Sequence, residues 1–112
     1  PRNLHRGSPQ AFATDPLALA ISKGVFLRRW DRALTLAQRQ FLAMPLMHSE
    51  SIVDQNASLR YFVRLPHRHG WPFAVSHHKM IARFGRFPHR NAVLGRASTQ
   101  AEERAVAEGF AW

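Results

Sequence analysis

Two groups of residues carry the side chains in this chain that could do chemistry. The first comprises His48-Ser49-Glu50, Asp54 and, further along, His77. Imidazole and carboxylate groups together can exchange protons or bind a metal ion. No H-E-x-x-H or H-x-H spacing accompanies them, so we predict no metal site. Alternatively, these residues have no chemical function and only stabilise the fold: His48 and Ser49 cap a helix, and Glu50 and Asp54 pair with arginines.

The second group is the densest basic stretch of the chain. It begins at Arg83 and ends at Arg96. Arginine presents a planar fork that suits phosphate or carboxylate, and Phe84 and Phe87 interleave as in a platform that stacks bases. In the structural interpretation, both phenylalanines belong to the core and the arginines complement a helix C-terminus or pair with acids. The candidate anion-binding residues are Arg83, Arg86, His89, Arg90, Asn91 and Arg96.

Charge is the strongest compositional signal. Sixteen Lys and Arg residues against seven Asp and Glu residues give a net charge of +9, and only Lys23 and Lys79 among the cations are lysines. Such a balance indicates acidic partners. The arginines are spread from Arg2 to Arg104 instead of forming a tract, which argues against nucleic acid. We therefore expect a small anionic ligand rather than a nucleic acid.

Several classes of protein are excluded. A chain of 112 residues is enough for one small domain. It has no cysteine, which excludes disulfides, a thiolate nucleophile and a cysteine zinc site. Its longest apolar stretch, Phe41 to Met47, is far shorter than the roughly 20 residues that span a bilayer. It also lacks a G-x-S-x-G elbow and a glycine-rich phosphate loop. We predict no cofactor and no membrane partner.

Start signals predict the first three helices. Asp15-Pro16 begins one, because Asp caps a helix and Pro fits its first turn. Thr35 begins a second, which Pro45 strains or ends. Ser49 caps a third, with Glu50 in its first turn, where a negative charge favours the helix dipole. The apolar face of this third helix is predicted to consist of Ile52, Val53, Leu59, Phe62 and Val63.

Two more helices follow, which makes the predicted chain all-α. The fourth starts near Pro72 and ends at Gly85, where a left-handed C-cap is expected. Thr99-x-x-Glu102 is a capping box for a short last helix that ends at Gly109. No long segment alternates with period two, so no strand is predicted. The core side of the fourth helix is predicted from Phe73, His77, Met80, Ile81 and Phe84.

Three runs of residues form an ordered pattern over nearly the whole chain. The first consists of Pro1-Arg2-Asn3-x-x-Arg6-Gly7 and Ala11-Phe12-Ala13-Thr14-Asp15-Pro16. The second is Phe41-Leu42-x-Met44-Pro45-Leu46-x-His48-Ser49-Glu50 with Asp54-Gln55, and the third extends from Ile81 to Thr99. Together they resemble a bacterial family known as domain-of-unknown-function family 924.

This resemblance implies an all-α fold, an antiparallel bundle or tetratricopeptide-like array of about five helices, in a family with no established activity. Members of the family are longer, so we expect residues 1–112 to be a single domain that lacks N-terminal helices of the family fold. A cytoplasmic location is expected. The chain departs from the family after His77, where His78 and Lys79 replace a basic residue followed by an acid.

The function expected is that of a binding or scaffold domain with a His, Glu, Asp and Arg cluster between helices. The alternative is an enzyme or binder for a small phosphorylated or carboxylated ligand, in which arginines hold the anion and His48 or His89 transfers a proton. A third alternative is nucleic-acid binding through a basic surface. Because an unpaired buried carboxylate is costly, Glu50 or Asp54 should contact one of four arginines: Arg83, Arg86, Arg90 or Arg96.

The first two predicted helices carry more large apolar side chains than a small domain can readily bury. Exposed apolar patches usually mark interfaces, and a symmetric dimer is the commonest way to cover one. We therefore expect a homodimer, or a further N-terminal segment, to cover Leu17, Ile21, Phe26, Trp30, Phe41 and Leu42.

Overall fold

The computed structural model describes Phe12 and residues 15–112. Within this part the chain forms five α-helices and no strand, which confirms the predicted all-α fold. The predicted N-terminal loop and the Pro1 to Gly7 part of the first run lie outside the described residues. Short 3₁₀ turns separate several of the helices. The helices are α1 (Asp15–Leu27), α2 (Leu36–Met47), α3 (Ile52–Phe62), α4 (Trp71–Phe84) and α5 (Gln100–Ala107).

Three of the predicted helix ends are present. The Thr35 side chain accepts the Gln38 N–H at 3.2 Å, and the Gln38 side chain accepts the Thr35 N–H at 3.0 Å, which forms a capping box at the start of α2. Thr99 forms the same reciprocal pair with Glu102 at the start of α5. Gly85 ends α4 in the left-handed conformation, with φ of 73°.

The start of α3 differs from the prediction. Ser51, not Ser49, is the N-cap residue, and Glu50 therefore precedes the helix instead of lying in its first turn. The Ser49 hydroxyl donates to Asp54 Oδ2 at 2.7 Å and accepts the Ser51 N–H at 3.1 Å. Ser49 thus organises the turn before the helix, and Glu50 is placed where it can reach another segment.

Helix α2 also extends two residues beyond Pro45, to Met47. Proline removes one N–H donor from a helix. The regular pattern resumes at once, because the His48 N–H donates to Met44 O at 3.0 Å. Pro45 therefore does not end α2, and the helix continues to Met47.

The predicted apolar face of α3 is partly wrong. Ile52 and Val53 are 42% and 68% exposed, whereas Gln55 and Ser58 are fully buried. The Gln55 side-chain amide donates to Met47 O at 2.6 Å and to Ser49 O at 2.8 Å, at the C-terminal end of α2. A polar side chain is tolerated in the interior when it forms hydrogen bonds, and this one closes the turn between two helices.

Two apolar clusters form the core, and consecutive helices from α1 to α4 pack on one another. The first cluster lies among α2, α3 and α4, and the second joins α4 to α5. Phe73, predicted to face the core, is 60% exposed, while His77 is buried as predicted. The buried members of the first cluster are Ala43, Met47, Phe62, Leu65 and Ala74, and those of the second are Met80, Ile81, Phe87 and Ala105.

Polar contacts attach α1 to its neighbours. The buried Ser22 hydroxyl lies 2.7 Å from Leu42 O in α2 and 3.0 Å from Ala18 O in its own helix. Lys23 Nζ lies 2.8 Å from Asp54 Oδ1 in α3. The outward side of α1 carries large apolar side chains.

Two glycines should respond to alanine in opposite directions. At Gly85 an added Cβ meets nothing within 4 Å, so Gly85→Ala should cost about 1 kcal/mol of unfolding free energy through the left-handed backbone alone. Gly24 lies inside α1, where alanine is the better helix former by about 0.5–1 kcal/mol. Its added Cβ would meet only the flexible end of Arg28, at 3.0 Å. Urea unfolding should show a loss for the first variant and a gain for the second; the same sign for both would contradict this account.

Candidate functional site

Glu50 joins the turn before α3 to the segment after α4. Its Oε1 accepts Arg96 Nη1 at 2.9 Å and its Oε2 accepts Arg96 Nη2 at 3.1 Å, a bidentate pair. The Phe87 backbone N–H also donates to Oε2, at 2.6 Å. The predicted contact between one of the two acids and an arginine of the basic stretch is therefore confirmed.

Asn91 extends this pair into a longer network. It is fully buried, and its Oδ1 accepts Arg96 Nε at 3.0 Å. Its amide nitrogen donates to Glu102 Oε2 at 3.2 Å and to Ser98 Oγ at 3.0 Å. A second bidentate pair completes the network, because Arg86 Nε and Nη2 donate to Glu102 at 2.9 and 2.8 Å. We call the five residues Glu50, Arg96, Asn91, Glu102 and Arg86 the polar network.

Both carboxylates of the polar network are held in the charged form. The hydrogen bond from Arg86 is the main cause that lowers the pKa of Glu102 to about 2, against the opposing effect of burial. At Glu50, burial would raise the pKa, but the hydrogen bonds from Arg96 and from the Phe87 N–H outweigh it. The pKa of Glu50 therefore also lies below its ordinary value. Two ionised acids are matched by two arginines.

Asp54 does not join the polar network. It is buried, and its two oxygens are bonded to Ser49 and Lys23. Glu50 and Asp54, which belong to one group of candidates in the sequence, are therefore separated in the fold, because Glu50 precedes the helix and faces Arg96. The sequence places the two acids four residues apart, but the turn at Ser51 directs them to different segments.

The remaining basic candidates have separate surroundings. Arg90 is buried, with its guanidinium carbon 4.5 Å from the Phe12 ring centre and 4.7 Å from that of Phe87. Its Nη2 donates to His48 O at 2.9 Å, which closes the end of α2. Arg83, in contrast, is exposed and lies over the ring of its neighbour Phe84.

The histidines predicted for the site belong to an aromatic cluster. The buried His77 ring stacks on Trp112 with 3.8 Å between ring centres, and its Nδ1 lies 2.7 Å from Phe73 O. A carbonyl can only accept, so Nδ1 carries the proton. The His48 ring centre is 5.6 Å from that of His77, and His89 is 5.7 Å from Trp112. The structure thus brings His48, His77 and His89 to one region, beside the polar network.

A cleft of about 290 Å³ lies against Glu50 and Arg90. The start of α1 and the end of α2 form its two sides. Five apolar side chains form part of the walls, while a histidine, a serine, two acids and one arginine supply polar groups. Such a mixture is typical of small-molecule sites. The lining residues are Phe12, Asp15, Pro16, Leu19, Pro45, His48, Ser49, Glu50, Arg90 and Leu94.

One polar cluster was not predicted. Tyr61, the only tyrosine of the chain, donates its hydroxyl proton to Asp31 Oδ2 at 2.9 Å and accepts Arg39 Nε at 3.2 Å. Burial, followed by the charge and hydrogen bond of Asp31, raises the pKa of Tyr61 against the opposing effect of Arg39. The scarcity of acids that singled out Glu50 and Asp54 applies equally to Asp31 and could have indicated this cluster.

A metal site and a helix that could span a membrane are both absent from the described residues. Among Phe12 and residues 15–112, no three His, Asp or Glu side chains gather closely enough to bind a metal ion. No helix in the same part of the chain has the length and apolar character to span a membrane.

The low pKa of Glu102 predicts an acid-sensitive contribution to stability. A carboxyl whose pKa falls from 4.5 to about 2 on folding stabilises the fold at neutral pH, and this contribution is lost as the pH falls between those values. Glu102→Gln should unfold more easily than the parent at pH 7, and the difference should shrink towards pH 2. Urea unfolding across this range measures it. The exposed neighbour Glu103, replaced by Gln, is the control; a difference for Glu102→Gln that does not change with pH would contradict the assignment.

Comparison with known proteins places the chain in a family. The family model described as bacterial protein of unknown function (DUF924) matches residues 1–109. The chain is also similar to the solved structure of ATU0120, a protein of unknown function from Agrobacterium tumefaciens, with 34% sequence identity and a TM-score of 0.86. The match covers 94% of this chain and 59% of that one. No curated protein matches. Both the sequence pattern and the fold therefore show that this chain belongs to the DUF924 family of bacterial proteins.

Proposed function

We propose that this chain is a binding or scaffold domain in which the polar network holds the helices in register. In this proposal α1 to α4 form a tetratricopeptide-like array, residues 1–112 act as one domain, and the protein works in the cytoplasm. The packing of each helix from α1 to α4 on the next supports the array.

The observation that carries this proposal is the mutual pairing of the polar network. Each of its carboxylates accepts a bidentate bond from one arginine, Arg96 or Arg86, and Asn91 links the two pairs. The N–H donors that an arginine directs at a carboxylate are not available to a ligand anion, and the charge of that carboxylate repels one. Such an arrangement favours a structural role for Arg86 and Arg96.

A second candidate function is supported by the cleft beside Glu50. An enzyme or binder for a small phosphorylated or carboxylated ligand needs a concave site with a cation and a group that transfers protons. The cleft has Arg90 and His48 on its wall. In this alternative Arg90 holds the anion and His48 moves the proton, while the polar network keeps the cleft in shape.

Thermal unfolding with and without phosphate distinguishes the two candidates. For a scaffold, Arg96→Ala should lower the free energy of unfolding by about 1–3 kcal/mol, because it leaves Glu50 and Asn91 without their partner. The exposed Arg104→Ala is the matched control and should change it by less than about 0.5 kcal/mol. Millimolar phosphate should raise the Tm of the parent no more than sodium chloride of equal ionic strength.

The opposite result would favour the ligand-binding alternative. A ligand that binds only the folded chain stabilises it by mass action. In that case phosphate should raise the Tm of the parent and of Arg104→Ala but not that of Arg90→Ala. This pattern would mean that the anion binds in the cleft. It would contradict a purely structural role for this region.

We also propose that a second copy of the chain covers the outer side of α1 and α2. Leu17, Ile21 and Phe41 are 65%, 55% and 76% exposed, which is unusual for side chains of this size on neighbouring helices. Of the other residues predicted to be covered, Phe26 and Leu42 are half-buried. Trp30 is exposed but lies in the turn after α1, outside the interface proposed here.

Light scattering at tens of micromolar tests the dimer. The parent should show twice the monomer mass, and a charge placed in the interface by Phe41→Glu should return it to the monomer mass. Val53→Glu, at an exposed position of α3, is the control and should remain dimeric. A parent that is monomeric throughout this concentration range would refute the dimer.

A further inference from the structure

The fold brings two segments that are far apart in the sequence into contact through Tyr61. Tyr61 packs its ring 4.5 Å from that of Phe26 and donates to Asp31, so the turn after α1 lies against the C-terminal half of α3. Both segments are rich in arginine. We call residues 28–32 and 60–69 together the basic end.

Charge in the basic end is almost entirely positive. Its single acid, Asp31, is buried and faces the Tyr61 hydroxyl and Arg39. The six other acids of the chain lie at residues 15, 50 and 54 and at three positions in or just after α5. No ion pair of the basic-end arginines with an acid is present among the described residues. The exposed arginines of the basic end are Arg28, Arg29, Arg32, Arg60, Arg64 and Arg68.

An exposed indole lies among these charges. Trp30 is 62% exposed, and the guanidinium carbon of Arg28 is 5.2 Å from the centre of its ring. An aromatic face beside arginines is the arrangement by which proteins stack the bases of single strands while binding their phosphates.

The backbone of the basic end is also unusual. Arg29, His67 and Arg68 have φ of 60°, 58° and 49°, and within the described part of the chain they are the non-glycine residues in the left-handed region. This conformation is unfavourable for residues with a Cβ. Two of the three, Arg29 and Arg68, are exposed arginines.

We infer that the basic end binds single-stranded nucleic acid, with the arginines on successive phosphates and one base stacked on Trp30. This inference concerns a surface separate from the cleft and does not depend on the role of the polar network. It reverses the expectation drawn from the spread of arginines along the sequence, because spacing along a chain does not measure distance in a fold.

Single strands fit this surface better than a lipid membrane does. Leu27, three residues before Trp30, is 83% exposed and could enter a bilayer. Insertion would, however, also bring Arg28 and Arg29 towards the apolar layer, and charged groups there are costly. Stacking on a base leaves the guanidinium groups in water and in contact with phosphate.

Fluorescence anisotropy with a short labelled oligothymidylate tests the inference. The double variant Arg60→Ala/Arg64→Ala should weaken binding about tenfold or more and reduce the slope of log affinity against log salt by about 1.4, since each lost phosphate contact contributes about 0.7. The matched control is Arg83→Ala/Arg104→Ala, which removes the same charge from α4 and α5. It should change affinity less than about threefold. Equal losses in both double variants would mean binding by net charge alone and would overturn the inference.

The role of Trp30 has its own test. Trp30→Leu keeps an apolar side chain but removes the stacking face, and it should weaken binding at least about fivefold. Trp112→Leu, which removes an indole from the aromatic cluster, should leave affinity unchanged, with circular dichroism confirming that both variants are folded. The inference would be overturned if the parent did not bind the oligonucleotide or bound phosphatidylglycerol vesicles instead. It would also be overturned if the parent bound a duplex with equal affinity and Trp30→Leu had no effect.

Discussion

The ion pair between Glu50 and Arg96 connects two turns that are separated by 46 residues. Its carboxylate belongs to the turn before α3, and its guanidinium belongs to the segment that leads into α5. Glu50 also accepts the Phe87 N–H, so one side chain fixes both the backbone after α4 and the arginine beyond it. A bidentate pair constrains direction as well as distance, which is why a single residue can set the relation of these segments.

The polar network extends this constraint from one turn to a whole helix. Asn91 passes the connection from Arg96 to Glu102, and Glu102 is also the third residue of α5, where it completes the capping box. The same carboxylate therefore begins the helix and attaches it to Arg86. Partly buried polar groups that are fully bonded specify one arrangement, because any slip of the helix would leave a charge without its partner.

Local signals made the helices predictable. Thr35, Thr99 and Gly85 act within four residues of themselves, and the structure places caps at all three. Pairing of Glu50 with an arginine was also predictable, because acids are scarce in a chain with sixteen cations. Which arginine pairs with Glu50 was not predictable, because the choice of Arg96 over Arg83 depends on the path of the chain through Gly85 and Pro88.

The failures have a common physical origin. The buried side of α3 carries Asp54 and Gln55, whose burial depends on donors and acceptors in other segments that a hydrophobic pattern does not represent. Asp31, Tyr61 and Arg39 form their cluster across separations of 22 and 30 residues. The aromatic cluster similarly needs Trp112 to return to His77, and no local spacing indicates that return.

The attachment of α5 has a consequence for the order of folding. Helices α1 to α4 each pack on their neighbour in the chain, and contacts of this kind form early because little chain entropy is lost in making them. The short helix α5 buries mainly Ala105 and relies on the Glu102 and Arg86 pair and on Asn91, and Arg96 connects Asn91 to the distant turn at Glu50. It should therefore be the last helix to dock and the first to open, so that amide protons in residues 100–107 exchange with solvent faster than those of α3 and α4.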